Sequence, residues 1–130
     1  MDKRIGEILD LLDREWRRDH PIEELASSVN LTASRLQHLF KSHMRRSITE
    51  LLQARRLDEA ATLLVTTHER VSAIAYFVGF RDVPNFNHAF RRRFHISPRQ
   101  YRANTHESSR LASVAAESTR FEQDLQSENG

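Results

Sequence analysis

Planar amides and guanidinium forks cluster in two short polar stretches, Ser34-Arg35-Leu36-Gln37-His38 and Asn85-Phe86-Asn87-His88. Such side chains can meet the edges of paired bases. Gln37, Asn85 and Asn87 match the donor and acceptor of adenine, Arg35 those of guanine, and Ser34 several groups. One good bidentate contact of this kind discriminates by about 1–3 kcal/mol. Basic residues follow each stretch, Lys41 after the first and Arg91, Arg92 and Arg93 after the second. These suit phosphates, which add affinity and salt dependence rather than sequence choice. Ser47 and Ser97 come next, each at the head of a further helix whose backbone amides can add phosphate contacts.

The two stretches are copies of one unit. Leu25, Ala26, Val29 and Leu31 are matched by Ile74, Ala75, Val78 and Phe80 at an offset of 49. After one extra residue, Leu36, Phe40, Lys41, Met44, Ser47 and Leu51 are matched by Phe86, Phe90, Arg91, Phe94, Ser97 and Tyr101 at an offset of 50. Apolar and capping positions repeat together, which a shared helix-turn-helix explains better than composition does. Two such units on one short chain suit the reading of neighbouring turns of one DNA duplex.

Seven short helices are expected to position these residues. Ile5, Ile8, Leu9, Leu12 and Trp16 form the apolar stripe of a first, packing helix. Pro21 is expected in the first turn of the second, with Ile22, Leu25, Ala26 and Val29 inward. Asn30-Leu31 turns the chain and Thr32 caps the third, whose Leu36, Leu39, Phe40 and Met44 face the core. Ser47-Ile48-Thr49-Glu50 is a capping box that opens a fourth helix about 27 Å long. That length suits a ruler holding two reading units about one turn of DNA apart. Val71, Ile74, Ala75 and Val78 define the fifth helix, and Asp82 caps the sixth, with Pro84 in its first turn and Phe86, Ala89, Phe90 and Phe94 buried. Ser97-Pro98-Arg99-Gln100 opens a seventh helix carrying Tyr101 and Arg102.

Composition excludes several other classes. The absence of cysteine removes disulfides, thiolate metal sites and thiol nucleophiles. Seven histidines lack any HExxH spacing, and no nucleophile elbow or triad is present, so neither a metal, a cofactor nor an enzyme is expected. No small-molecule pocket is legible. Three glycines and three prolines favour an all-α fold. The start, MDKRIGEIL, carries acids in a helical pattern and no apolar run spans a bilayer, so the expected location is cytoplasmic with no membrane association. Residues 30–104 carry thirteen bases against five acids, whereas residues 1–29 carry five against eight and residues 105–130 two against five. Eighteen of the twenty bases are arginine, whose fork suits phosphate and guanine edges.

Ile74-Ala75-Tyr76-Phe77-Val78-Gly79-Phe80, followed by Asn85-Phe86, Phe90-Arg91, Phe94, Ser97-Pro98 and Tyr101-Arg102, resembles the signature of AraC/XylS-type bacterial transcription regulators. Leu25-Ala26, Leu36, Phe40-Lys41, Arg56-Leu57, Ala60 and Leu63-Leu64 are similar to the same family's upstream half. The resemblance implies a seven-helix DNA-binding domain that binds asymmetric sites as a monomeric unit and usually activates transcription. Its implied partners are double-stranded DNA and RNA polymerase, and its implied location is the nucleoid. Family base-contact positions fall at Ser34, Gln37 and His38, and at Pro84, Asn85, Asn87 and His88. Where the family often has glycine after each recognition helix, Arg45 and His95 stand, and a left-handed backbone there costs roughly 1–2 kcal/mol. Pro84 stands where a polar reader is often found and offers only van der Waals contact, so the second unit is expected to read fewer bases. A methyl-transfer repair relative in the family needs cysteines that this chain lacks.

The expected division is a double helix-turn-helix domain over 1–104, with a first unit over 3–46, a linker helix over 47–66 and a second unit over 67–104. Residues 105–130 form a polar tail, either disordered or an amphipathic helix through Leu111, Val114, Phe121 and Leu125. The rival reading is a helical interaction module that binds a protein through Ile5, Ile8, Leu12 and Trp16 or through the tail.

Overall fold

A computed structural model describes residues 2–105, and the tail expected beyond them lies outside the described residues. Helix α1 spans Lys3–Arg14, α2 Ile22–Ser28, α3 Ala33–Met44, α4 Ile48–Thr66, α5 Val71–Phe77 and α6 Val83–Phe94. A seventh, α7, runs from 98 to the last described residue, 105. Polar caps start five of them, Ser97 that of α7. Asp2 Oδ1, Thr32 Oγ1, Ser47 Oγ and Asp82 Oδ1 accept from the amides of Arg4, Arg35, Glu50 and Asn85. The hydrogen bonds from Arg4 hold the Asp2 carboxyl down at about 2.

Two cores share one helix. Ile5, Ile8 and Leu12 of α1, Leu25 and Ala26 of α2, Leu36 and Phe40 of α3, and Ile48 and Leu52 of α4 make the first. Leu57, Ala60, Ala61 and Leu64, farther along α4, join Ile74, Ala75, Val78, Phe86, Ala89 and Phe90 in the second. At 1.5 Å per residue, the 19 residues of α4 are about 28 Å long, so one rigid element enters both units. Aromatic rings build the second core. Phe90 lies 4.6 Å from Phe94 and 5.5 Å from Tyr101 of α7, the latter edge-on.

Two local expectations differ from the structure. Trp16 leaves the α1 stripe because the helix ends at Glu15, whose φ of −119° and ψ of 38° are not helical. The indole instead packs against both cores. Pro21 caps α2 with an extended ψ of 134° rather than entering its first turn. Ile5, Ile8 and Leu12 are at most 1% exposed, so the stripe offered by the interaction-module reading is interior.

Candidate nucleic-acid interface

In each unit a buried stripe forces the intervening residues outward. On α3, Leu36 and Phe40 are fully buried, and Ser34, Arg35, Gln37, His38 and Lys41 are exposed. On α6, Phe86, Ala89 and Phe90 are buried while Pro84, Asn85, His88, Arg91, Arg92 and Arg93 are exposed. Asn87 is half-buried on that helix. The caps therefore present two polar helix faces, as the repeat requires.

Two of the outward side chains are already engaged. Asn85 Nδ2 donates to Asp82 Oδ2 at 2.9 Å, so the cap that starts α6 also fixes this amide. Arg93 forms a two-pronged pair with Asp58 of α4, Nε to Oδ1 at 2.9 Å and Nη2 to Oδ2 at 3.0 Å. That fork braces the second recognition helix to the linker. Ser47 and Ser97 are half-buried caps. Ser97 and Gln100 close a reciprocal box, with Gln100 N donating to Ser97 Oγ and Ser97 N to Gln100 Oε1, both at 3.1 Å.

A strut that sequence reasoning missed fixes the two units to each other. Arg56, in the middle of α4, donates from Nε to the Trp16 carbonyl at 3.0 Å and from Nη2 to the Arg18 carbonyl at 2.8 Å. Its neighbour Arg55 pairs with Asp13 and with Glu59. Arg17 reaches across to the Phe77 carbonyl at 2.8 Å and stacks 3.6 Å above the Phe77 ring. Burial pulls the Arg56 pKa below its ordinary value, opposed by the charge of Asp19. Gly79, at φ +107°, completes the joint, because a Cβ there would lie 2.8 Å from Arg56 Nε. These contacts join residues about forty to sixty positions apart, and no local pattern announces them.

Two grooves flank α6. The inner one, about 1160 Å³, lies between the units and touches Asn85, His88 and Arg92. The outer one, about 790 Å³, is bounded by Asn87 and Arg91 of α6, Arg70 and Ser72 near the start of α5, and Ser97 and Arg99 near the start of α7. Sequence reasoning passes over Arg70 and Arg99 because they lie at the starts of α5 and α7, outside the two outward helices that carry the other candidates. Arg102 serves a different purpose. It donates to the carbonyls of Leu64 and Glu69 at 2.8 and 2.7 Å, tying α7 to the end of α4.

A family model described as a helix-turn-helix domain matches residues 25–104. The chain belongs to the AraC/XylS family of DNA-binding transcription regulators. Among its relatives, the HTH-type transcriptional regulator MtrA of Neisseria gonorrhoeae is 33% identical over 105 residues, covering 78% of this chain and 34% of that protein. The lactose operon transcription activator of Staphylococcus xylosus is 32% identical over 102 residues, covering 78% of this chain and 37% of that protein. The DNA-binding domain of AdpA, solved in complex with a target DNA, has a TM-score of 0.72 at 25% identity, covering 78% of this chain and 91% of that one. The chain thus spans about a third of the length of the curated relatives it matches. The all-α fold is the one those AraC/XylS neighbours share. Among the described residues, no helix is long and apolar enough to cross a membrane.

Proposed function

We propose that the chain regulates transcription by laying α3 and α6 into adjacent major grooves of one duplex. Ser34, Arg35, Gln37 and His38 read bases in the first groove, and Pro84, Asn87 and His88, with the remaining carbonyl of Asn85, read them in the second. Lys41, Arg91, Arg92 and the helix starts at Ser47 and Ser97 hold phosphates, and Arg93 joins them only by leaving Asp58. The observation that carries this reading is the pairing of two capped helices, each with an exposed polar face, on the single rigid α4. Activation, with RNA polymerase as partner, is the output we assign, supported by the relative named as a lactose operon transcription activator. The working location is the bacterial cytoplasm, at the nucleoid.

Paired substitutions test the division between reading and holding. Gln37→Ala should lower discrimination at one base position by about 1–3 kcal/mol while leaving random DNA bound as before. Lys41→Ala should weaken every sequence alike and reduce the slope of log affinity against log salt by about 0.9. Equal losses on selected and random duplexes for both variants would contradict the assignment.

A further inference from the structure

We propose that the outer groove of the second unit, built from Arg70, Arg91 and Arg99, is a clamp for the phosphates of one DNA strand, and that the first unit keeps only one of these three cations, Lys41. This rests on the DNA reading above and adds to it a site, a strand and an asymmetry.

The groove lies where a strand must pass. A helix seated in a major groove about 12 Å wide has a sugar-phosphate backbone along each flank. Asn87 and Arg91 of α6 form one wall of the outer groove, and Asn85, His88 and Arg92, on the opposite flank of the same helix, touch the inner groove. Each concavity therefore faces one strand.

The charge in the two grooves differs sharply. Among the described residues, no acidic side chain lines the outer groove. Arg70, Arg91 and Arg99 are exposed there, and none of their guanidinium groups has a hydrogen-bond or ion-pair partner among the described residues. Arg70 makes no side-chain bond at the start of α5. In the inner groove Asp19 and Glu50 stand among the bases, Arg56 is spent on backbone carbonyls, Arg93 on Asp58, and Arg81 sits 4.0 Å from Asp19, which leaves Arg92 as its one arginine without a partner among the described residues. Among the described residues, three unpaired cations against none of opposite sign make the outer groove the stronger anion site.

The internal repeat shows that this is a property of one copy only. Of the three clamp arginines, Arg70 and Arg99 correspond to Pro21 and Thr49 in the first unit, and Arg91 to Lys41. Pro21 and Thr49 line the inner groove, so the same surface recurs with two of its three arginines replaced by uncharged groups, and Lys41 does not line it. Glu23 and Glu24 add acids to the first turn of α2. The first unit holds a strand weakly and spends its polar face on bases. The second holds one strand tightly and, with Pro84 among its outward residues, reads less.

The test compares the double variant Arg70→Gln/Arg99→Gln with Arg81→Gln, using a random duplex of about 25 base pairs and a range of salt concentrations from about 50 to 200 mM. All three side chains are exposed, and Arg70 and Arg99 make no described contact that folding would lose. The double variant should lower the salt slope by nearly 2 and weaken binding roughly tenfold or more near physiological salt, whereas Arg81→Gln should change the slope by less than half as much. Phosphate-ethylation interference on a selected duplex should mark one strand beside the second box, and that mark should vanish in the double variant. Wild-type binding with a normal slope that the double variant leaves unchanged would overturn the clamp and keep the DNA reading. An Arg81→Gln effect of equal size would overturn the difference between the outer and inner grooves. Failure of the wild type to bind any duplex in a salt-dependent way would overturn both.

Discussion

Arg45 and His95 close the two recognition helices in a left-handed conformation, at φ 61° and 70°, and Asn30 turns the chain within the first unit at φ 59°. Asparagine tolerates that region through its short polar side chain, and histidine is also found there more often than most residues, but arginine gains nothing comparable. The repeat aligns Asn30 with Gly79, and the glycine has the more demanding setting because Arg56 and the Arg17 carbonyl crowd it. Arg45→Gly and His95→Gly should each stabilise the chain by about 1 kcal/mol, read as a higher denaturant midpoint at unchanged slope. A lower midpoint for both would show that strain at these positions is already relieved elsewhere. The departure from glycine was visible in the sequence, whereas the φ values needed the fold. The same holds for Asn85 and Arg93, whose outward placement follows from helical period but whose partners, Asp82 and Asp58, do not.

Helix α4 decides the relation between the readers, because its first half is sealed into one core and its second half into the other. Its existence, its cap at Ser47 and its length were legible from a long apolar period following a capping box. The Arg56 strut was not, since a single arginine among eighteen carries no local signal for carbonyls about forty residues away. Trp16 was misplaced for a related reason: its spacing continues the α1 stripe, yet tertiary packing draws it into the joint. Arg56→Gln removes donors from two backbone carbonyls and should cost about 1–3 kcal/mol. It should also loosen the spacing requirement, so that inserting one base pair between the two boxes penalises the variant less than the wild type. A variant as intolerant of the insertion as wild type would mean that α4 and the two cores set the geometry without the strut.

Across the molecule, the proposed clamp would share attachment unevenly between two copies of one fold. The repeat and the helical period placed the outward polar faces of α3 and α6 before any coordinates, because caps and buried stripes dictate which residues point outward. The outer groove escaped notice because it gathers residues from the starts of α5 and α7 and the flank of α6, a juxtaposition that only the packed second core creates. Rigid spacing of two readers along one duplex is the central claim, and the most direct measurement is selection from a pool of randomised duplexes about 25 base pairs long. The account predicts two enriched boxes about 10 base pairs apart, with the box under α3 more sharply defined than the one under α6. A single box, or two boxes at variable spacing, would contradict it.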